Sequence, residues 1–157
     1  MKTDDIKKSI YSAFSDIASS IGYSDMHGRI IAALLTNNNR LSLQELAEET
    51  GYSLSTISLS LDFLELLGMI KKAKNVGDRK LYVELQGDLL EGLKRAFVLN
   101  LQKNIGSALG DFKGYREELK SSDDANSKKV MKTLDKLEGE IKRLENYINL
   151  LSKLRLP

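Results

Sequence analysis

Large apolar residues recur at helical spacing along most of the chain. Near the N-terminus they fall three or four positions apart, which places them on one face of a helix predicted over Asp4–Ser20. The same spacing predicts further helices over about residues 24–35, 42–50, 54–67 and 88–119. The pattern therefore indicates a largely helical protein.

Two short segments alternate apolar and polar residues instead. Met69–Lys74 and Lys80–Leu85 read as strands on either side of a turn at residues 77–78. The alternation is clearest in the second segment, where every other residue is a leucine or a valine. This strand should bury one face, and the two segments together predict a β-hairpin.

The segment Leu43–Asp62 has the spacing of a helix-turn-helix motif. Ala47 is small where two helices would cross, Gly51 stands where the turn needs a left-handed backbone, and Ile57 would pack the second helix on the first. A helix-turn-helix followed by a hairpin is a winged helix, which commonly binds double-stranded DNA. The predicted fold class is mostly α with a small β-hairpin wing and long terminal helices that form a dimer interface.

The predicted DNA contacts come from the second helix of the motif and from the hairpin. Leu54, Ile57, Leu61 and Leu64 form the apolar stripe that this helix should bury. The helix presents hydroxyl groups and one leucine away from that stripe. These residues are Ser53, Ser55, Thr56, Ser58 and Leu59. The hairpin concentrates positive charge, which suits DNA phosphates, although the net charge of the chain is only +2. Its basic residues are Lys71, Lys72, Lys74, Arg79 and Lys80.

The second helix of the motif contains no lysine or arginine. It therefore lacks the side chains that form bidentate contacts with guanine, and affinity would depend on the wing. The same uncharged surface keeps a second interpretation open, in which the winged helix is a protein-interaction module within a larger transcription or chromosome complex. The cations of the hairpin favour DNA.

The last helix, predicted over residues 127–154, has apolar residues at alternating intervals of four and three, the heptad spacing of a coiled coil. They are Val130, Leu134, Leu137, Ile141, Leu144, Ile148 and Leu151. One helix cannot bury such a stripe alone. The same helix of a second chain, the long preceding helix or the first helix could cover it. We expect a homodimer interface, with an antiparallel hairpin inside the chain as the alternative.

These elements divide the chain into three predicted segments. Residues 1–22 form an N-terminal helix for packing or dimerisation, residues 23–87 form the winged helix, and residues 88–157 form a helical dimerisation region.

The sequence contains no motif that indicates catalysis or metal binding. There is no cysteine and only one histidine, His27, so no conventional metal set can be assembled. No phosphate-binding glycine loop or catalytic triad is evident. The longest apolar run, Ile30–Leu35, is too short to span a bilayer, and the N-terminus lacks the apolar core of a secretion signal. We expect a cytoplasmic protein that is not an enzyme, uses no cofactor or metal and does not bind membranes.

Several short motifs resemble the MarR (multiple antibiotic resistance regulator) family, and within it the GbsR-like branch, over about Ile21–Leu119. The matching motifs are Gly22-Tyr23, His27-Gly28-Arg29, Leu46-Ala47, Thr50-Gly51-Tyr52-Ser53, Thr56-Ile57-Ser58, Leu64, Leu67-Gly68-Met69-Ile70 and Gly77-Asp78-Arg79-Lys80.

The resemblance implies a homodimeric transcriptional regulator that binds a pseudo-palindromic operator and responds to a small-molecule effector. It places the helix after Gly51 in a major groove and the wing toward the flanking minor groove. On the matching positions, Ser55, Thr56 and Ser58 would face the bases, and Arg79 would be the minor-groove residue. Dimerisation would use helices at the chain ends, in agreement with the heptad spacing.

Overall fold

The computed structural model describes residues 2–157, and Met1, which opens the predicted N-terminal segment, lies outside the described residues. The chain forms two compact units, one ending at Ala96 and the other beginning at Phe97. The elements, in chain order, are α1 (Thr3–Ser20), α2 (Asp25–Leu35), β1 (Arg40–Ser42), α3 (Leu43–Thr50), α4 (Leu54–Leu66), β2 (Ile70–Lys74), β3 (Leu81–Leu85), α5 (Leu89–Lys120) and α6 (Ala125–Lys153). This order confirms the predicted, mostly helical fold with a small β wing.

The wing belongs to a three-stranded antiparallel sheet with the order β1-β3-β2. The predicted hairpin corresponds to β2 and β3, whereas β1 was not predicted. Leu41 of β1 lies opposite Val83 of β3, and both side chains are buried. Three residues are too few to show an alternating pattern, and β1 exists because it pairs with a strand about forty residues away.

The helix-turn-helix forms as its spacing predicts. Gly51 ends α3 with a φ of 76°, a left-handed backbone that glycine adopts without strain. Ser42 begins the same helix with a reciprocal capping box, in which Ser42 Oγ accepts from the Glu45 N–H at 3.1 Å and the Ser42 N–H donates to Glu45 Oε1 at 3.2 Å. Both ends of α3 are therefore fixed by local chemistry.

The core of the first unit surrounds α2, where Ile30, Ala33 and Leu34 have no exposed surface. On α4, the predicted buried stripe is confirmed at three positions, Ile57, Leu61 and Leu64. The expectation for Leu54 was wrong, because this side chain is 45% exposed. It is the first residue of α4 and lies one turn before the helix reaches the core.

In the second unit, α6 folds back on α5. Leu134 and Ile148 of the predicted heptad stripe are buried, and Ile148 packs in a cluster with Val98 and Ile105 of α5. Ile141 and Leu151 are half-buried against the same cluster, and three other positions of the stripe remain exposed. They are Val130, Leu137 and Leu144, with 41%, 44% and 37% of their surface accessible. The heptad stripe is thus divided between packing inside the chain and solvent.

None of the helices within residues 2–157 is both long enough and apolar enough to cross a membrane.

Candidate nucleic-acid interface

The outer face of α4, the recognition helix of this motif, is open to solvent in the isolated chain. Ser55, Ser58 and Leu59 lie on this face, and Leu59 is 77% exposed. Ser58 Oγ donates to the Leu54 backbone oxygen at 2.9 Å, which leaves its lone pairs available to an outside donor. This face offers hydroxyl groups and one apolar side chain, without any cation of its own.

Two other predicted contact residues form the cap of the same helix. Ser53 Oγ accepts from the Thr56 N–H at 3.3 Å and lies 2.7 Å from Thr56 Oγ1. This is a standard N-cap arrangement, so Ser53 stabilises the start of the recognition helix. Thr56 is partly buried beside it. Of the five predicted contact residues on this helix and its cap, Thr56 is therefore half-buried and the other four are exposed.

Two of the predicted wing lysines are already paired inside the protein. Lys72 Nζ donates to Asp62 and lies 3.8 Å from Glu65, both on the recognition helix. The hydrogen bond to Asp62 raises the pKa of Lys72. Lys71 Nζ lies 3.4 Å from Glu84 of β3. Lys72 therefore offsets the acidic end of the recognition helix, and neither lysine is freely available to a phosphate.

The remaining wing cations behave differently. Lys74, Arg79 and Lys80 are all exposed, and no side-chain ion pair holds any of them within the described part of the chain. An unpaired cation can approach a phosphate without first breaking an internal contact. The structure therefore separates the five predicted wing residues into two paired and three unpaired side chains.

Arg40 of β1, which was not among the predicted site residues, contacts several residues of the wing. Its guanidinium carbon lies 4.3 Å from the centre of the Tyr82 ring, which is a cation–π contact. One terminal nitrogen donates to Asn75 Oδ1 at 2.8 Å, and the other lies 3.2 Å from Glu84. The only hint in the sequence is a basic residue just before the motif, and its role depends on the unpredicted pairing of β1 with β3.

The turn of the wing is fixed by Asp78. Its carboxylate accepts from the Lys80 backbone N–H at 2.9 Å and from the Tyr82 hydroxyl at 3.2 Å. The first of these bonds is the main reason that the pKa of Asp78 lies below its ordinary value. Gly77 supplies the positive φ of 80° that the turn requires. The three unpaired cations therefore stand on a preorganised turn.

A small apolar cavity of about 30 Å³ lies behind the recognition helix in the first unit. Phe14, Phe63 and Leu93 contribute to its wall. His27 also lines it and packs edge-on against Phe63, with ring centres 5.2 Å apart. Burial lowers the pKa of His27, which favours a neutral ring in this cavity. Tyr23, another lining residue, donates its hydroxyl to the Ala96 backbone oxygen at 2.7 Å.

Among residues 2–157 no three histidine, cysteine or acidic side chains come together as a metal site.

Residues 21–81 match the model of the MarR family. The matched segment contains α2, the helix-turn-helix and most of the wing, so this segment has the form of a MarR-type winged helix. No protein with a curated function matches the chain.

Three solved structures are similar to the chain as a whole. A crystal structure of a transcriptional regulator has a TM-score of 0.62 at 19% identity, with 94% of this chain and 96% of that one covered. NadR in complex with 4-hydroxyphenylacetate has a TM-score of 0.44 at 19% identity, with 96% and 89% covered. The ligand-free organohalide-sensing transcriptional regulator RdhR has a TM-score of 0.43 at 18% identity, with 97% and 83% covered. The first of these shows a shared fold.

Proposed function

We propose that this chain is a homodimeric, DNA-binding transcriptional regulator of the MarR type, in the GbsR-like branch, that recognises a pseudo-palindromic operator. The observation that carries this proposal is the solvent-exposed face of the recognition helix beside a rigid wing with three unpaired cations, Lys74, Arg79 and Lys80. A surface of hydroxyls next to clustered positive charge suits bases on one side and phosphates on the other.

On DNA, the recognition helix would lie in a major groove and the wing would reach the adjacent minor groove. Leu59 would contact a thymine methyl group, while Ser55, Thr56 and Ser58 would hydrogen-bond base edges. Because the helix has no cation, we expect the wing to supply most of the affinity. Part of the specificity would then come from DNA shape.

Selection of bound duplexes from a random pool is the direct test of this function. We expect enrichment of two related half-sites whose centres lie about one helical turn apart, since a dimer presents two recognition helices. The enriched sequence should then be found upstream of genes in the source genome. If the selection yields no preferred sequence, and the protein binds the recovered duplexes no more tightly than an unrelated duplex, the proposal of a regulator that recognises an operator is rejected.

The protein-interaction module remains a second candidate because of two exposed leucines on α4. Leu59 and Leu66 are 77% and 78% exposed, and together they give the recognition helix an apolar rim. A protein partner would cover this rim, whereas DNA would contact only part of it. The same selection experiment separates the two candidates, because a module that binds only protein enriches no duplex.

We infer that the exposed half of the heptad stripe forms the dimer interface. Leu137 and Leu144 face solvent, while Leu134 and Ile148 are already used inside the chain. Changing both Leu137 and Leu144 to aspartate should give folded monomers in light scattering. Fully burying a leucine contributes about 1.5–3 kcal/mol, and a dimer can still bury the remaining 44% and 37% of these two side chains on each chain. Their loss should therefore raise the dissociation constant by at least roughly fiftyfold.

Leu134→Asp provides the matched control for this pair. Leu134 is 7% exposed and packs inside the chain, so a charge there should lower the unfolding temperature instead of producing a folded monomer. If the Leu137 and Leu144 double variant stayed dimeric, the exposed half of the stripe would not be the interface.

We further propose that a small apolar effector acts at the cavity behind the recognition helix. The cavity connects α1, α2, α4 and the start of α5, and a ligand larger than its volume of about 30 Å³ would have to displace these helices. The bond from Tyr23 to the Ala96 oxygen joins two parts of its wall and would be disturbed first. Such a displacement moves the recognition helix, which is how binding there could change the affinity for DNA.

Arg79 and Thr56 should control different base positions of the operator. Arg79→Lys keeps the positive charge but loses the planar group that fits a narrow minor groove, so preference for A·T-rich flanks should weaken while non-specific affinity is nearly kept. Thr56→Ala should alter preference only at the centre of the half-site. Titration of both variants against one set of operator mutants, at one salt concentration, measures this. Identical base positions affected by both would contradict the placement of wing and helix.

A further inference from the structure

A groove between the start of α3 and the start of β3 has the chemistry of an anion site. It encloses about 360 Å³, and the residues that matter here are Ser42, Gln44, Leu54, Arg79 and Lys80. We call it the wing notch. The sheet register brings its two sides together, because Ser42 of β1 lies opposite Tyr82 of β3. The chain leaves β1 directly into α3, so Gln44 faces the segment that carries Lys80.

The charged side chains that line the wing notch are both positive. Arg79 and Lys80 line it and no carboxylate does, although Asp78 of the adjacent turn accepts the Lys80 backbone N–H and also feels the Lys80 charge. Elsewhere on the wing the cations are matched by acids, since Lys72 is paired with Asp62 and Lys71 with Glu84. A groove with two unpaired cations and no acid attracts a negatively charged group.

Gln44 supplies the uncharged donor of the wing notch. Its side chain is exposed and makes no hydrogen bond within residues 2–157. It is the second residue of α3, where backbone N–H groups have no partner inside the helix. The Ser42 side chain accepts only from the N–H of Glu45. The first N–H groups of the helix therefore add donors and a favourable dipole on the same side as the Gln44 amide.

We propose that the wing notch seats one backbone phosphodiester of bound DNA, held by the Lys80 ammonium and the Gln44 amide. This inference rests on the proposed function and adds Gln44 of α3, which is not among the predicted DNA contacts, as a partner of Lys80 in holding a phosphate. Lysine meets a phosphate as a point charge, whereas the planar group of Arg79, one residue nearer the wing tip, is better suited to the minor groove. Fixing one phosphate between α3 and the wing would set the register of both on the duplex.

The test uses the selected operator in a series of duplexes, each with one phosphate replaced by a neutral methylphosphonate. Wild-type protein, Gln44→Ala, Lys80→Ala and Lys74→Ala are titrated against every duplex. One position in each half-site should weaken wild-type binding about tenfold, the size expected for hydrogen bonds to a charged group. At that position, the methylphosphonate should weaken the binding of Lys80→Ala and Gln44→Ala only slightly, because each variant already lacks its contact with this phosphate.

Lys74→Ala is the matched control, since Lys74 is an unpaired wing cation that does not line the wing notch. It should weaken binding but keep the full sensitivity to the methylphosphonate at the notch position. Thermal melts should match wild type for all three variants, because each side chain is exposed.

Two results would overturn the inference. If wild-type protein binds the operator and Lys80→Ala remains as sensitive as wild type at every position, or Gln44→Ala binds normally, the notch holds no phosphate and the proposed function is untouched. If wild-type protein binds no duplex, both the proposed function and the notch fail together.

Discussion

Replacing Gly28 by alanine should destabilise the first unit by about 3 kcal/mol or more, the upper range for overpacking a rigid interior. A Cβ atom at this position would lie 2.1 Å from the Phe14 carbonyl oxygen and 2.8 Å from the Ser15 nitrogen. All of the nearest atoms belong to the backbone of α1, so no side-chain rotation can relieve the clash. The two helices would have to separate, which would also expose Ala18 and open the apolar cavity.

Urea unfolding followed by circular dichroism measures this effect, and Gly139→Ala is the matched control. Gly139 lies inside α6, and a Cβ atom there would meet nothing within 4 Å. Alanine should therefore stabilise α6 by up to about 1 kcal/mol through helix propensity alone. Equal effects of the two substitutions would mean that α1 and α2 do not cross as closely as the structure places them.

The helix-turn-helix could be predicted because its constraints are local. The left-handed backbone at Gly51, the capping box between Ser42 and Glu45, and the buried position of Ile57 each depend on residues within a few turns of one another. Leu54 shows the limit of this reasoning. It follows the apolar period of α4 but is the first residue of the helix, and periodicity alone does not say where the core ends.

Features that depend on distant pairing could not be read from the sequence. Arg40 braces the wing only because β1 pairs with β3, which brings it to Glu84 and over Tyr82. In the sequence, Lys72 does not differ from the other cations of the hairpin. In the structure, the chain turns back after α4, and Lys72 donates a hydrogen bond to Asp62 of that helix. Composition showed how many charges the wing has, and the tertiary structure shows which of them are already compensated.

The heptad stripe of α6 was predicted in part. Its spacing correctly marked one face of the last helix as apolar, but spacing does not specify the surface that covers it. The structure buries Leu134 and Ile148 inside the chain and leaves Leu137 exposed. In the proposed dimer, the two helices of one chain and a second copy would share one stripe, a solution that neither of the two simple expectations described.

The wing has two cations that are paired inside the protein and three that are not, and this difference leads to the prediction with the largest effect on binding. Replacing Lys74, Arg79 and Lys80 together by alanine should remove most of the salt dependence of DNA binding. A dimer then loses six unpaired charges, and at about 0.9 per neutralised phosphate the slope of log K against log salt should fall by up to about 5. Between about 50 and 200 mM salt the wild-type protein should therefore lose roughly a thousandfold more affinity than the triple variant. Titrations of labelled operator at several salt concentrations give both quantities.

The matched comparison is the double variant Lys71→Ala with Lys72→Ala, which removes cations from the same hairpin. These side chains are paired with Glu84, Asp62 and Glu65, so few counterions would be released when they meet DNA. The slope should change by less than about 1 for the double variant, although affinity can still fall, because Asp62 then faces the DNA without its partner. A slope that flattens equally in both variants would show that DNA breaks the internal ion pairs, and that all five cations contact phosphates in the complex.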